Sequence, residues 1–297
     1  MTSQILNYND EEYKELAKQI LQDGYALLHE QNLTQRQLVE VCQRMGNVEQ
    51  QQYFMNPIDN REISIVSGQK DENKKAIGMF GDTEIQWHAN GASRHECDEI
   101  IVALYCVVEC VDTVLSVASQ VNCFAELSDA DKERFRNIDI KLDASTSNSA
   151  YRLSEKNEDN TMEPNKSDTK EEVYDLIEEG SLAPENEIKG GVFCNQEDVD
   201  RRPLVGKHPV DGREYLYFMV PFLAGALENG EEIDVDELYD ELWEKLFRSK
   251  YIFNHVFRKG DILFMDQLHT IHRRSPVQKK DRQLWRTAFD YSNTRFT

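Results

Sequence analysis

The stretch Ile262-Leu-Phe-Met-Asp266-Gln-Leu-His269-Thr-Ile-His272-Arg-Arg274 decides how this chain is read. Its first four residues form a short apolar run closed by Asp266, the pattern of a buried strand, and a histidine stands six residues beyond Asp266. Further strand signals surround it at Tyr215 to Val220, after the turn His208-Pro-Val-Asp-Gly212, at Asn254 to Arg258 and at Trp285 to Tyr291. Upstream, Ile100 to Val108 is apolar on both faces, as a strand covered on both sides is, and Glu62 to Ser67 is a shorter β-rich run. Helix signals lie early and mid-chain. Asp10 to Leu21 puts Tyr13, Leu16, Ala17 and Ile20 on one face and stops at Gly24; Thr34 and Gln37 form a capping-box pattern before a second helix that ends near Gly46. Ser128 to Phe135 reads as helix, and Asp234 to Lys250 carries a stripe of Val235, Leu238, Leu242 and Leu246. Early helices with strands dominating the C-terminal part predict an α+β fold.

A chain of 297 residues allows one large domain or two ordinary ones, and 39% hydrophobic content is enough for a real core. Its 34 basic and 55 acidic side chains leave a net charge of −21, which repels phosphate backbones and excludes nucleic acid as the expected ligand. The longest apolar stretch ends at Glu109, far short of the roughly 20 residues a bilayer crossing needs, so no membrane partner is expected. The opening MTSQILNYNDEEY has neither a basic nor an apolar leader segment, and the six cysteines form no CxxC pair. Reduced thiols and a cytoplasmic location are the expectation. From Ala144 to Asn186 the chain is rich in Ser, Asn, Asp, Glu and Lys apart from a helix signal near Lys170 to Glu179, and reads as a polar acidic insertion. There is no repeat, no GxGxxG and no P-loop.

Three separated pieces carry chemistry: Trp87-His88-Ala89-Asn90-Gly91, Asp266-x5-His272 and Arg282-Gln-Leu-Trp-Arg286-Thr. On a strand, His88 and Asn90 at i and i+2 point the same way and can meet one metal, which a histidine from a distant strand would complete. A lone histidine is more often a hydrogen-bonding core residue, and His269 is read that way, facing the other side of its strand from His272. Arg273 and Arg274 are read as solvated or acid-paired. His95, Glu96 and Asp98 are read as loop residues, although one of them could supply a carboxylate.

In order and spacing the pieces resemble the taurine dioxygenase and clavaminate synthase-like family of Fe(II)/2-oxoglutarate-dependent oxygenases, whose pattern is WHxD, a GDT-type turn, D-x5-H and Arg-x3-Arg. Here these are Trp87-His88-Ala89-Asn90, Asp112-Thr113, Asp266-x5-His272 and Arg282-x3-Arg286. The likeness runs from about Tyr25 to Thr287. It implies a double-stranded β-helix (jelly-roll, cupin-like) with flanking helices, forming a single domain over residues 1–297 with the insertion at about 144–186. It also implies iron held by His88 and His272, the distal carboxylate of 2-oxoglutarate clamped by Arg282 with help from Thr113, and Arg286 nearer the reacting end. The implied reaction consumes O₂, converts 2-oxoglutarate to succinate and CO₂, and oxidises a C–H bond of a small molecule. An anionic substrate is favoured if Arg286 faces it. A homo-oligomer is open.

The departure from the pattern is Asn90, which stands where the family has its carboxylate ligand. The metal loses an anionic ligand, and a neutral amide oxygen binds a hard divalent ion more weakly. Two alternatives to ordinary hydroxylation follow from the resemblance: a non-catalytic relative that binds 2-oxoglutarate without retaining iron, and a halogenase-like variant with an altered radical outcome.

Overall fold

The computed structural model describes residues 3–50, 57, 60–74, 76–78, 85–90, 100–109, 111–142, 201–218, 223–277 and 281–293. The polar insertion with its expected helix, and the loop holding His95, Glu96 and Asp98, lie outside these residues.

The helices begin where their caps allow. In α1 (Asp10–Asp23), Asn9 Oδ1 accepts from the backbone N–H groups of Glu11 and Glu12, and the Glu12 carboxylate accepts from the Asn9 N–H. Gly24 ends it in the left-handed region at φ 83°; a Cβ there would lie 2.5 Å from Thr270 Cγ2, so glycine is needed for both conformation and approach. The expected Thr34–Gln37 capping box starts α2 (Gln35–Gln43). Ser119 and Ser128 cap α3 (Gln120–Ala125) and α4 (Asp129–Arg136), and Asp234 caps α5 (Val235–Leu246).

The strands, in chain order, are β1 (Tyr25–Leu28), β2 (Ser64–Ser67), β3 (Ile85–His88), β4 (Ile101–Val108), β5 (Leu115–Ser119), β6 (Ile138–Leu142), β7 (Arg202–Pro203) and β8 (Val205–Lys207). They continue as β9 (Glu214–Leu216), β10 (Leu223–Glu228), β11 (Glu231–Glu232), β12 (Ile252–His255), β13 (Ile262–Asp266), β14 (Thr270–Arg274) and β15 (Gln283–Phe289). Every pairing among them is antiparallel. A five-stranded sheet has the order β1-β13-β4-β15-β2, and a four-stranded sheet the order β12-β5-β14-β3. A third sheet, β11-β10-β6-β7, and the hairpin β8-β9 complete them. The mixture of helices and antiparallel sheets is the α+β class expected.

Burial explains why β4 is apolar throughout. Ile101, Ala103 and Tyr105 pack outward under α1 and α2, whereas Val102, Leu104 and Cys106 join Leu115 and Val117 of β5 in a core between the five-stranded sheet and the β12-β5-β14-β3 sheet. Each fully buried side chain of this kind contributes about 1.5–3 kcal/mol. A separate core gathers α3, α5 and the third sheet around Phe135, Leu216, Tyr239 and Leu242.

Six strands were not anticipated: β5 to β8, β10 and β11. β5 and β6 are five residues each and abut helices, too short for an alternation pattern to register. The strand expected at Asn254 to Arg258 is displaced to Ile252–His255, because the chain turns at Gly260, where φ is 88°.

Asp266 organises the β13–β14 turn. Its Oδ1 accepts from the backbone N–H groups of Leu268 and His269 at 2.9 and 3.0 Å, and its Oδ2 accepts from Tyr291 Oη at 2.7 Å and faces His208 Nε2 at 3.1 Å. Burial opposes ionisation, but these donors win and its pKa is lowered. The Asp of D-x5-H thus shapes the turn that brings β14 back beside β5 and aims His272.

Candidate active site

A pocket opens into the core between the five-stranded sheet and the β12-β5-β14-β3 sheet, walled by Val66, Leu104, Leu115, Phe257 and Leu284. His88 and His272 project into it from β3 and β14, where they are directly paired in register, with ring centroids 4.3 Å apart. His88 Nδ1 lies 2.6 Å from the Gln86 carbonyl oxygen and donates to it, which leaves Nε2 as the lone-pair nitrogen. Burial, followed by the nearby Arg286 and Arg274, lowers the His88 pKa to about 4 despite the Gln86 carbonyl. His272 is pushed well below its ordinary value by burial, His88 and Arg286. Both rings are therefore neutral at pH 7, the form that binds a metal.

Asn90 follows β3 in a turn rather than within the strand. Its Nδ2 lies 3.5 Å from His272 Nε2, so it occupies the third corner beside the imidazole pair. Gln267, which is 1% exposed, holds it there: Gln267 Oε1 accepts from Asn90 N–H at 2.8 Å and from Asn90 Nδ2 at 3.2 Å, while its own Nε2 donates to Met265 O at 3.1 Å. This chain of donors fixes which end of the amide faces His272. It is the nitrogen, a donor, not the oxygen that could ligate.

The same pocket is cationic. Arg282, immediately before β15, and Arg286, in its middle, are 4% and 3% exposed, and Thr113 lies before β5. Ser67 Oγ donates to Arg282 O at 2.8 Å, pinning that backbone to β2. Arg274 is the residue missed. Expected as solvated or acid-paired, it is 3% exposed and lines the same pocket, because on β14 it stands two residues from His272 and shares its face. That i, i+2 spacing was the available signal. Arg273 points the other way, its guanidinium 5.2 Å from the Trp87 ring centroid. Among the described lining residues there are three guanidiniums and no carboxylate.

All six sequence-selected residues, His88, Asn90, Thr113, His272, Arg282 and Arg286, thus border one pocket. His269 does not: it sits in the turn before β14 rather than on the strand, packed on His208 with ring centroids 4.4 Å apart. The donor set fits a divalent metal at two positions, through neutral imidazoles. The third position offers an N–H, and the arginines fit anions.

The taurine catabolism dioxygenase TauD, TfdA family model matches residues 2–288. The chain belongs to this family. Membership places it among Fe(II)/2-oxoglutarate-dependent dioxygenases, enzymes that use Fe(II), 2-oxoglutarate and O₂. Among solved structures it is similar to a taurine dioxygenase from Burkholderia xenovorans, at 16% identity and TM-score 0.65 over 97% of this chain and 83% of that one. It is also similar to AAD-2 in complex with Mn(II) and N-oxalylglycine, at 15% identity and TM-score 0.63 over 97% and 91%. A third similar structure is PvcB, an Fe, alpha-ketoglutarate dependent oxygenase from an isonitrile synthetic pathway, at 14% identity and TM-score 0.60 over 97% and 82%. At these identities the likeness is one of fold. No curated protein matches the sequence. No helix among the described residues is long and apolar enough to cross a membrane.

Proposed function

We propose that this member of the family is a single-domain, cytoplasmic double-stranded β-helix oxygenase that hydroxylates a C–H bond of an anionic small molecule. The observation that carries the reading is the paired, neutral His88 and His272 facing three buried arginines in one pocket. His88 and His272 would hold Fe(II) through imidazole nitrogen. When bound, the metal supplies the activation of O₂ that oxidises 2-oxoglutarate and substrate.

The chain's own residues do the positioning. Arg282 binds the distal carboxylate of 2-oxoglutarate, its guanidinium fork matching a carboxylate bidentately, with the Thr113 hydroxyl as a further donor. Arg286 and Arg274, whose charges act on His88, neutralise the anionic groups of co-substrate and substrate. The apolar wall of Leu104, Leu115, Phe257 and Leu284 excludes bulk water and strengthens these charge interactions.

A second reading, halogenation, is favoured by one observation: the Asn90 amide presents a donor beside His272, where a halide could be hydrogen-bonded. Anaerobic titration with Fe(II) and then 2-oxoglutarate tests the site. The expected result is a visible charge-transfer absorption that saturates at one equivalent, followed by succinate formation on adding O₂. No absorption and no succinate would overturn the proposal. Product analysis with and without chloride separates hydroxylation from halogenation.

A further inference from the structure

Away from the pocket, two turns bring together His208, Asp211 and His269, with one potential ligand atom from each within 4.8 Å of the others. We propose that these three residues form a second metal site for a borderline divalent cation of the Zn²⁺ type, distinct from the iron site.

The geometry suits the assignment atom by atom. His208 Nε2 is engaged by the buried Asp266 carboxylate at 3.1 Å, the carboxylate–imidazole arrangement that orients a ligating ring and leaves its other nitrogen as the donor. That nitrogen, Nδ1, accepts from the Val210 N–H at 3.3 Å with the lone pair a cation would take over, and it lies 3.5 Å from Asp211 Oδ1. His269 Nε2 lies 3.7 Å from Asp211 Oδ2. Metal–ligand bonds of about 2.0–2.2 Å in a tetrahedron put ligand atoms roughly 3.3–3.6 Å apart, so the three ligand atoms, which lie within 4.8 Å of one another, would close in on a cation by at most about 1.5 Å.

A second observation is independent of that spacing. His269 is 1% exposed, and neither of its ring nitrogens makes a hydrogen bond. A buried imidazole in that state calls for a partner. An ion pair with Asp211 would require a charged ring, whereas burial, only partly offset by Asp266, holds the His269 pKa at about 4. A neutral imidazole aimed at a carboxylate oxygen is a metal ligand in waiting. Asp211 is the solvent-facing member and supplies the entry path and an open fourth position for water. Arg213 donates from Nε to Asp211 Oδ2 at 2.6 Å and from its backbone N–H to Oδ1 at 3.0 Å, and is itself anchored on the carbonyls of Leu21 and Gln22, so it steadies the carboxylate, and a cation would share an oxygen with one of these donors. The guanidinium also weakens cation affinity below that of a purely anionic site.

A cation here would tie the 208–213 turn to the 267–269 turn. The latter carries Gln267, the partner of Asn90, and leads directly into the strand of His272.

The test uses EDTA-treated full-length His88→Ala protein, in which the iron site has lost a ligand, titrated with Zn(II) alone by calorimetry with metal analysis. One equivalent should bind and raise Tm, and Co(II) substitution should give the intense visible bands of four-coordination. Asp211→Asn and His269→Gln, made in the same background, should each weaken Zn(II) binding by about 10- to 100-fold. Absence of stoichiometric binding by the folded His88→Ala protein, or binding that both ligand variants leave unchanged, overturns the site. If the buried His269→Gln protein does not fold, Asp211→Asn at the surface decides alone. None of these readouts involves 2-oxoglutarate or turnover, so the result stands apart from the proposed oxygenase reaction.

Discussion

Asn90→Asp restores the residue type of the family pattern but places it in an environment built for an amide. In the native protein Gln267 Oε1 accepts two hydrogen bonds from Asn90, at 2.8 Å from the backbone and 3.2 Å from Nδ2. A carboxylate removes the second bond and sets an acceptor oxygen against an acceptor oxygen. Rotating the Gln267 amide relieves that clash only by breaking its 3.1 Å bond to Met265 O and turning a donor away from it. Because Gln267 is buried, the cost is that of an unsatisfied polar group, about 1–3 kcal/mol. At about 2 °C per kcal/mol for a chain of this size, Tm in EDTA should fall by roughly 2–6 °C. The metal-bound protein should behave oppositely, since an anionic oxygen now stands beside His272: Mn(II), which is redox-silent, should bind at least about tenfold more tightly, worth about 1.4 kcal/mol. Scanning calorimetry in EDTA and across a Mn(II) series measures both. Gln267→Met combined with Asn90→Asp should recover much of the loss, because the pair is coupled through one contact. A variant as stable as the native protein in EDTA, with no gain in Mn(II) affinity, would refute both the Gln267 tether and the placement of Asn90 at the metal.

His88→Ala or His272→Ala should abolish 2-oxoglutarate-dependent O₂ uptake and the Fe(II) chelate spectrum, whereas His269→Ala should leave the spectrum intact. Arg282→Gln should weaken 2-oxoglutarate binding by about 10- to 100-fold, from about 1.5–3 kcal/mol for a charge-assisted bond, as read by anaerobic titration. Arg274→Met should raise KM for an anionic substrate more than it affects 2-oxoglutarate decarboxylation without substrate, and equal effects on both would move Arg274 to the co-substrate. In metal-free protein His88 and His269 are held at about 4, below their unfolded value, so stability is complete above pH 6.5 and falls as the pH drops towards 4. Each should cost about 2 kcal/mol between pH 7 and 5, seen in urea unfolding, and His88→Gln should remove its share of that slope.

What could be read beforehand depended on how local the cause was. The capping boxes and the β4 strand follow from neighbouring residues, and the helix faces and strand are found where their periodicity places them. The site residues were legible as spaced groups because each group lies on one strand or turn. Arg274 was misread although its alternation with His272 was in view, since two adjacent arginines look like a solvated pair until one face of the strand is known to be buried. Gln267 and the His208–Asp211–His269 group carried no local signal. They are joined across 177 residues in one case and across the β8–β9 and β13–β14 turns in the other, and only the folded chain brings such partners together.

The imidazole pair and Arg274 hang from the β12-β5-β14-β3 sheet, whereas Arg286 belongs to the five-stranded one and Arg282 immediately precedes its strand β15. A dicarboxylate reaching from one to the other works as a calliper, and the jaw opening is set by apolar side chains that touch neither end. Leu104 on one sheet and Leu115 on the other are such spacers. Selectivity by chain length, 2-oxoglutarate against its one-carbon-shorter or one-carbon-longer homologues, is then a property of core volume rather than of any polar contact. Trimming Leu115 to Val should shift tolerance towards a different diacid length while every charged group stays in place.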